Sequence, residues 1–240
     1  MQITEVKVLN EAGAEILGKP VGSYLTLEAD RLLLPDEDFH SEVSDELANV
    51  LKELAEHALG KKEGEEKEAP FLHGQPVILV AGLGNQSVTP DSLGPRTVNN
   101  LSVSQNETGL KAIAPGVMAQ TGMETARILS GLIREIKPDL VIAIDALAAR
   151  SIRRLGTTIQ LTDTGIHPGS GVGNHRHSLT KETLGIPVLA VGVPTVVGAA
   201  AIVHDTISAL TGVLASEEAT KNTGKWIENM NPEDQYRMIR

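Results

Sequence analysis

Residues 77–91 read Val-Ile-Leu-Val-Ala-Gly-Leu-Gly-Asn-Gln-Ser-Val-Thr-Pro-Asp, and residues 140–145 read Leu-Val-Ile-Ala-Ile-Asp. Each is an unbroken aliphatic and β-branched run that leads to an aspartate. Asp91 follows a glycine-rich turn, whereas Asp145 follows its run with no intervening loop. Continuous apolar runs of this length suit strands buried on both faces, as in parallel sheets covered by helices. Ligands of open α/β sheets bind beyond the carboxyl ends of the strands. Asp91 and Asp145 are therefore expected to face one cleft, although they lie far apart in the chain. A close carboxylate pair can split its pKa values, which leaves one group as acid and the other as base.

Working outward, the pattern from residue 75 alternates strands with helices, the sign of βαβ construction. Residues 157–161 and 187–193 are further predicted strands, 91–98 enters a helix, and 123–136 and 199–214 are helical. Upstream, 3–9 and 24–28 alternate apolar and polar residues as strands do, with a turn over 18–23. Leu47, Val50, Leu51, Leu54 and Leu59 fall on a helical period within 41–59. The fold class expected is α/β, with a mixed, mostly parallel sheet flanked by helices on both faces and a small N-terminal β/α extension. One domain is expected to span 1–240. Residues 1–59 carry the N-terminal strands and helix, 60–70 form a charged flexible loop, 75–214 the catalytic core, and 215–240 a polar tail.

The 240 residues are 41% hydrophobic, but there are only two Phe, two Tyr and one Trp, so the core must be aliphatic. With no cysteine, disulfides, thiolate catalysis and Cys-based zinc sites are excluded. The net charge of −10 argues against a nucleic-acid partner, because phosphate binding uses clustered Lys and Arg. Neither a secretory signal nor a long apolar span is found, which points to a cytoplasmic protein with no membrane partner.

Gly82-Leu83-Gly84-Asn85 after a strand invites a dinucleotide-binding reading, but Ser87 stands where the third glycine is needed and no phosphate-loop lysine follows. No cofactor is expected. Asp91 reads two ways, as a helix N-cap or as a catalytic carboxylate. Asp145 is costly to bury unless paired or functional; its structural alternative is a partner for Arg150, Arg153 or Arg154. Asp163 also follows a strand. The segment Gly165-Ile166-His167-Pro168-Gly169-Ser170-Gly171-Val172-Gly173-Asn174 allows close backbone approach to a ligand, and its N–H groups can form a nest for an oxyanion. No metal is assigned. Asp91, Asp145, Asp163 and His167 as a His/carboxylate metal site are nonetheless the sharpest competing chemistry.

Several longer motifs resemble the germination protease family of spore-forming bacteria. They are Gly-Leu-Gly-Asn-x-x-Val-Thr-Pro-Asp-x-Leu-Gly-Pro at 82–95, Pro115 to Met118 with Thr121 to Thr125, and Ile144 to Arg150. Asp163 to Asn174, Lys181 to Gly185 and Gly192 to Val197 complete the set. The resemblance implies endopeptidases that cleave small acid-soluble spore proteins during germination, in the spore core. It implies a fold like that of hydrogenase maturation endopeptidases, itself phosphorylase/hydrolase-like. The two aspartates essential in the family fall on Asp91 and Asp145. Asn85, Asp163, His167, Gly169, Ser170, Gly171 and Asn174 are the supporting and substrate-binding residues expected. Family members are tetrameric zymogens, so a homo-oligomer is expected. Relative to the family, the N-terminal pro-segment is missing, 101–114 is shorter, and the chain stops before the usual C-terminal segment. An already mature or trimmed form with weakened assembly is the expectation from those departures.

Overall fold

The computed structural model describes residues 1–60, 76–103, 109–166 and 177–214. In chain order the elements begin with β1 (Gln2–Val8), α1 (Glu11–Leu17), β2 (Gly22–Glu28), α2 (Glu37–Ala58), β3 (Ile78–Gly82), α3 (Leu93–Asn99) and β4 (Leu110–Ile113). They continue with α4 (Met118–Thr121), α5 (Thr125–Ile136), β5 (Leu140–Ala149), β6 (Thr158–Thr162), α6 (Lys181–Leu184), β7 (Val188–Val197) and α7 (Ala199–Leu214). The strands form one sheet in the order β1-β2-β6-β7-β5-β3-β4. Its core, β7-β5-β3-β4, is parallel, whereas β1, β2 and β6 run antiparallel to their neighbours. The expected mixed α/β sheet is present. The N-terminal strands extend this same sheet, because β2 pairs with β6 from Tyr24↔Thr162 to Glu28↔Thr158.

Side chains alternate across the strands and build a core on each face. Leu140, Ile142, Val80, Leu189 and Leu161 face Phe39, Val43, Val50 and Leu54 of α2, with Val98 of α3 packed alongside. Leu79, Ala81, Val141, Ala143 and Val188 face Leu129 of α5 and Leu184 of α6. Burying each such leucine contributes about 1.5–3 kcal/mol. No described helix is long and apolar enough to cross a membrane.

Three differences from the sequence reading have local causes. Helix α1 was not expected; it buries no residue, and Asn10 at its N-cap and left-handed Gly18 at its C-cap hold it. Strand β4 was not expected either, because its four residues carry no clear alternation. Strand β7 continues four residues past the expected end at Val193, through Pro194.

Asp36 caps α2 by accepting from the Phe39 N–H at 3.0 Å, and the Arg31 guanidinium pairs with it. The Phe39 N–H first, and Arg31 second, hold this carboxyl below the usual carboxylate range. A lowered folded-state pKa stabilises above the unfolded value and is lost as pH falls through the folded one. Asp36→Ala should therefore lower Tm at neutral pH, and the gap to wild type should narrow below about pH 4. Equal gaps at both pH values would refute this account of the cap.

Candidate active site

The parallel pairing of β3 with β5 runs from Ile78↔Leu140 to Gly82↔Ile144. One further bond extends it, from the Leu83 N–H to the Ile144 carbonyl at 2.7 Å. Asp145 is the residue after Ile144, and Gly84 is the residue after Leu83. Asp91 stands against Gly84: a Cβ there would lie 3.0 Å from Asp91 Oδ1. Only Gly84 (φ +113°) tolerates both this crowding and its left-handed backbone. Asp145 thus directly follows one partner of this hydrogen bond, and the turn bearing Asp91 packs against Gly84, the residue after the other partner.

Asp145 lies inside β5, not beyond it, and is 8% exposed. By alternation it points to the face shared with Val141 and Ala143, in register with Gly192 of β7. Its Oδ1 accepts the Ala146 N–H at 2.9 Å. Of the three arginines nearby in sequence, Arg154 pairs with Glu28 at 3.9 Å. Asp91 ends the 3-10 turn Thr89–Asp91, and Ser92 occupies the N-cap of α3 without a side-chain cap bond. The N-cap reading of Asp91 therefore gives way to a different bond: Asp91 Oδ2 accepts the Asn85 N–H at 2.8 Å, which closes the loop before the helix.

Asn85 is the hub of that loop. Its Oδ1 accepts the Ser87 N–H at 3.0 Å and Gln120 Nε2 at 2.8 Å. Gln120 Oε1 in turn accepts the Val117 N–H at 3.3 Å. Thr195 Oγ1 donates to the Pro90 carbonyl at 2.5 Å. Segments 82–95, 115–125 and 192–197 thereby converge on Asp91. Beside them lies a cleft of about 700 Å³, lined by Thr89, Ser92, Arg96, Asn100 and Thr195.

Asp163 is not brought to this end. Strand β6 is antiparallel to β7, with Gln160 opposite Gly192 and hence level with Asp145. Three residues further along β6, Asp163 lies ~10 Å towards the opposite end of the sheet, given the rise of a strand. There its Oδ1 accepts the Ser23 N–H at 2.8 Å, which joins the start of β2 to the end of β6. His167, Gly169, Ser170, Gly171 and Asn174 lie outside the described residues. Ile166 and Leu179, described residues on either side of that segment, exchange backbone hydrogen bonds of 3.0 and 2.8 Å. Among the described residues no three His, Asp or Glu side chains gather as a metal-binding group.

Sequence reasoning assigned no role to Gln120 or Thr195. Thr195 stands in a quoted motif and Gln120 falls between two, but their partners are 105 and 35 residues away, beyond the reach of local pattern.

Comparison with known proteins bears on what this arrangement is. The family model described as germination protease matches residues 1–232. This chain belongs to the germination protease family. It is 47% identical over 253 aligned positions to the germination protease of Caldanaerobacter subterraneus subsp. tengcongensis, covering 100% of this chain and 73% of that protein. It is 48% identical over 219 positions to the germination protease of a Geobacillus species, covering 86% of this chain. The chain spans 55% of the length of that second relative. Among solved structures, a NiFe hydrogenase maturation protease, HycI, from Thermococcus kodakarensis aligns with 65% of this chain and 95% of its own. The two share 18% identity at a TM-score of 0.35, a loose likeness only.

Proposed function

We propose that this chain is an endopeptidase that opens the degradation of small acid-soluble spore proteins, with Asp91 and Asp145 as its catalytic pair. The observation that supports the reading is the Leu83–Ile144 hydrogen bond, which sets the loop tied to Asp91 beside the strand that bears Asp145. One carboxylate, ionised, takes a proton from the attacking water. The other, protonated, hydrogen-bonds the scissile carbonyl and then passes its proton to the leaving amine. The proton taken from water re-protonates the pair, so the cycle closes. A coupled pair titrates as a unit, so the two roles are not divided between the residues.

Asn85, through its N–H on Asp91 and its side chain on Gln120, supports the orientation of the first carboxylate. The stretch of the cleft lined by Ser92, Arg96 and Asn100 is the course we assign to the substrate backbone beside the scissile bond. The working compartment on this reading is the spore core. Self-association is part of it too: Leu9, Ile16 and Leu17, exposed around α1, are a surface that assembly would cover.

The test is direct. Purified chain is incubated with a small acid-soluble spore protein, with and without a strong chelator, and the products are resolved by gel. Discrete fragments in both lanes are expected. Intact substrate in both would overturn the proposal. Cleavage lost to chelator and restored by a divalent cation would reassign water activation to a metal held by the same carboxylates.

A further inference from the structure

Strand β7 carries one residue more than its partner at the site. Leu147 of β5 pairs with Pro194 and Ala148 with Val196, so Thr195 has no opposite number and forms a bulge. Proline has no N–H to give a ladder and is found inside sheets at such irregularities. Bulges re-aim a side chain, and they concentrate next to active sites. Here the re-aimed group is the Thr195 hydroxyl, which donates to the Pro90 carbonyl at 2.5 Å. Pro90 is the residue before Asp91, and β7 is hydrogen-bonded to β5, which carries Asp145 in register with Gly192.

These contacts make a closed circuit. Asp91 is joined to β3 through Asn85 and Gly84, β3 to β5 through Leu83 and Ile144, and β5 to β7 through the ladder. The remaining side, from β7 back to the turn that bears Asp91, is the Thr195 hydroxyl. The turn Thr89–Asp91 is short, irregular and at the edge of the cleft, so a tether on this side has a geometric task. Its removal takes away the link that comes from β7.

We infer that Thr195 is a positioning residue, whose bulge aims its hydroxyl at Pro90 and so sets the spacing of Asp91 from Asp145. It touches neither the reacting atoms nor the aspartates. The kinetic part of this inference rests on the endopeptidase reading; the structural part does not.

Thr195→Val keeps the shape and removes the hydroxyl, and Thr195→Ser keeps the hydroxyl and removes the methyl group. In T195V, kcat should fall roughly 10–100-fold, as small displacements of catalytic groups do. KM should stay within about twofold, since uniform substrate binding is not what the tether supplies. T195S should recover most of the lost turnover. Amide hydrogen exchange at Asn85 and Asp91 should quicken several-fold in T195V and return towards wild type in T195S. A wild-type kcat in T195V overturns the inference, and so does a T195S variant as slow as T195V. Should wild-type chain cleave no spore protein, the endopeptidase reading falls separately. Equal amide protection in all three proteins would then still overturn the tether.

Discussion

Asp91→Asn and Asp145→Asn, made singly, should each reduce cleavage of a small acid-soluble spore protein by a factor of ~10²–10⁴, the contribution of a positioned acid or base. The substitutions are isosteric, and the backbone N–H bond described for each carboxylate tolerates them. Asn at 91 retains an oxygen to accept the Asn85 N–H, and Asn at 145 retains one to accept the Ala146 N–H. Melting temperatures should therefore stay close to wild type, so that lost activity reports chemistry and not collapse. Asp91→Ala is a different experiment, because it also releases the Asn85 N–H and loosens the loop. Groups that work as a unit are strongly non-additive. The double variant D91N/D145N should thus be little worse than either single one. Two independent, multiplying losses would mean that the carboxylates act separately, and substantial cleavage by either single variant would remove the pair from the mechanism.

The parts of this fold that were legible in the sequence are those with a local cause. The apolar runs 77–81 and 140–144 declare buried parallel strands, and both are found in the core of the sheet. Helix α7 was expected over 199–214 and is found as Ala199–Leu214. Asp163 was grouped with Asp91 and Asp145 because it, too, follows a strand. Yet only residues 150–157 separate β5 from β6, with the 3-10 turn Ile152–Arg154 between them. A parallel crossover needs a dozen residues or more. That short link was enough to turn β6 round and to put Asp163 at the far end. Pro194 likewise ended the expected strand at Val193, whereas proline inside an apolar run also marks a bulge. The hub at Asn85 and the hydroxyl of Thr195 had no such local sign. Their roles come from which loops the sheet order brings together, and that order is a property of the whole chain.

Gly94→Ala should be among the most damaging single-methyl changes in the described structure. In an ordinary helix the substitution stabilises, because glycine is the poorer helix former by about 1 kcal/mol. At Gly94 the sign should reverse. A Cβ there would press into the Leu83 N, the Leu83 carbonyl and the Ile144 carbonyl, all of them backbone. On the opposing side, a Cβ at Gly82 would meet the Gly94 carbonyl itself. Helix α3 therefore rests backbone to backbone on β3 and β5, and no side chain can swing aside to make room. Overpacking of this kind costs about 1–3 kcal/mol, occasionally more. For a domain of this size that corresponds to a fall in Tm of roughly 3–10 °C. The functional loss should exceed the loss of stability, because the start of α3 lies next to the turn that carries Asp91. Lifting the helix by the width of a methyl group separates that turn from Ile144 and Asp145. Gly131→Ala in α5 supplies the control, since a Cβ there meets nothing within 4 Å. It should raise stability by about 0.4–1 kcal/mol and leave cleavage unchanged. If Gly94→Ala instead behaves as Gly131→Ala does, α3 is not seated on the two strands, and the geometry that joins Asp91 to Asp145 fails with it.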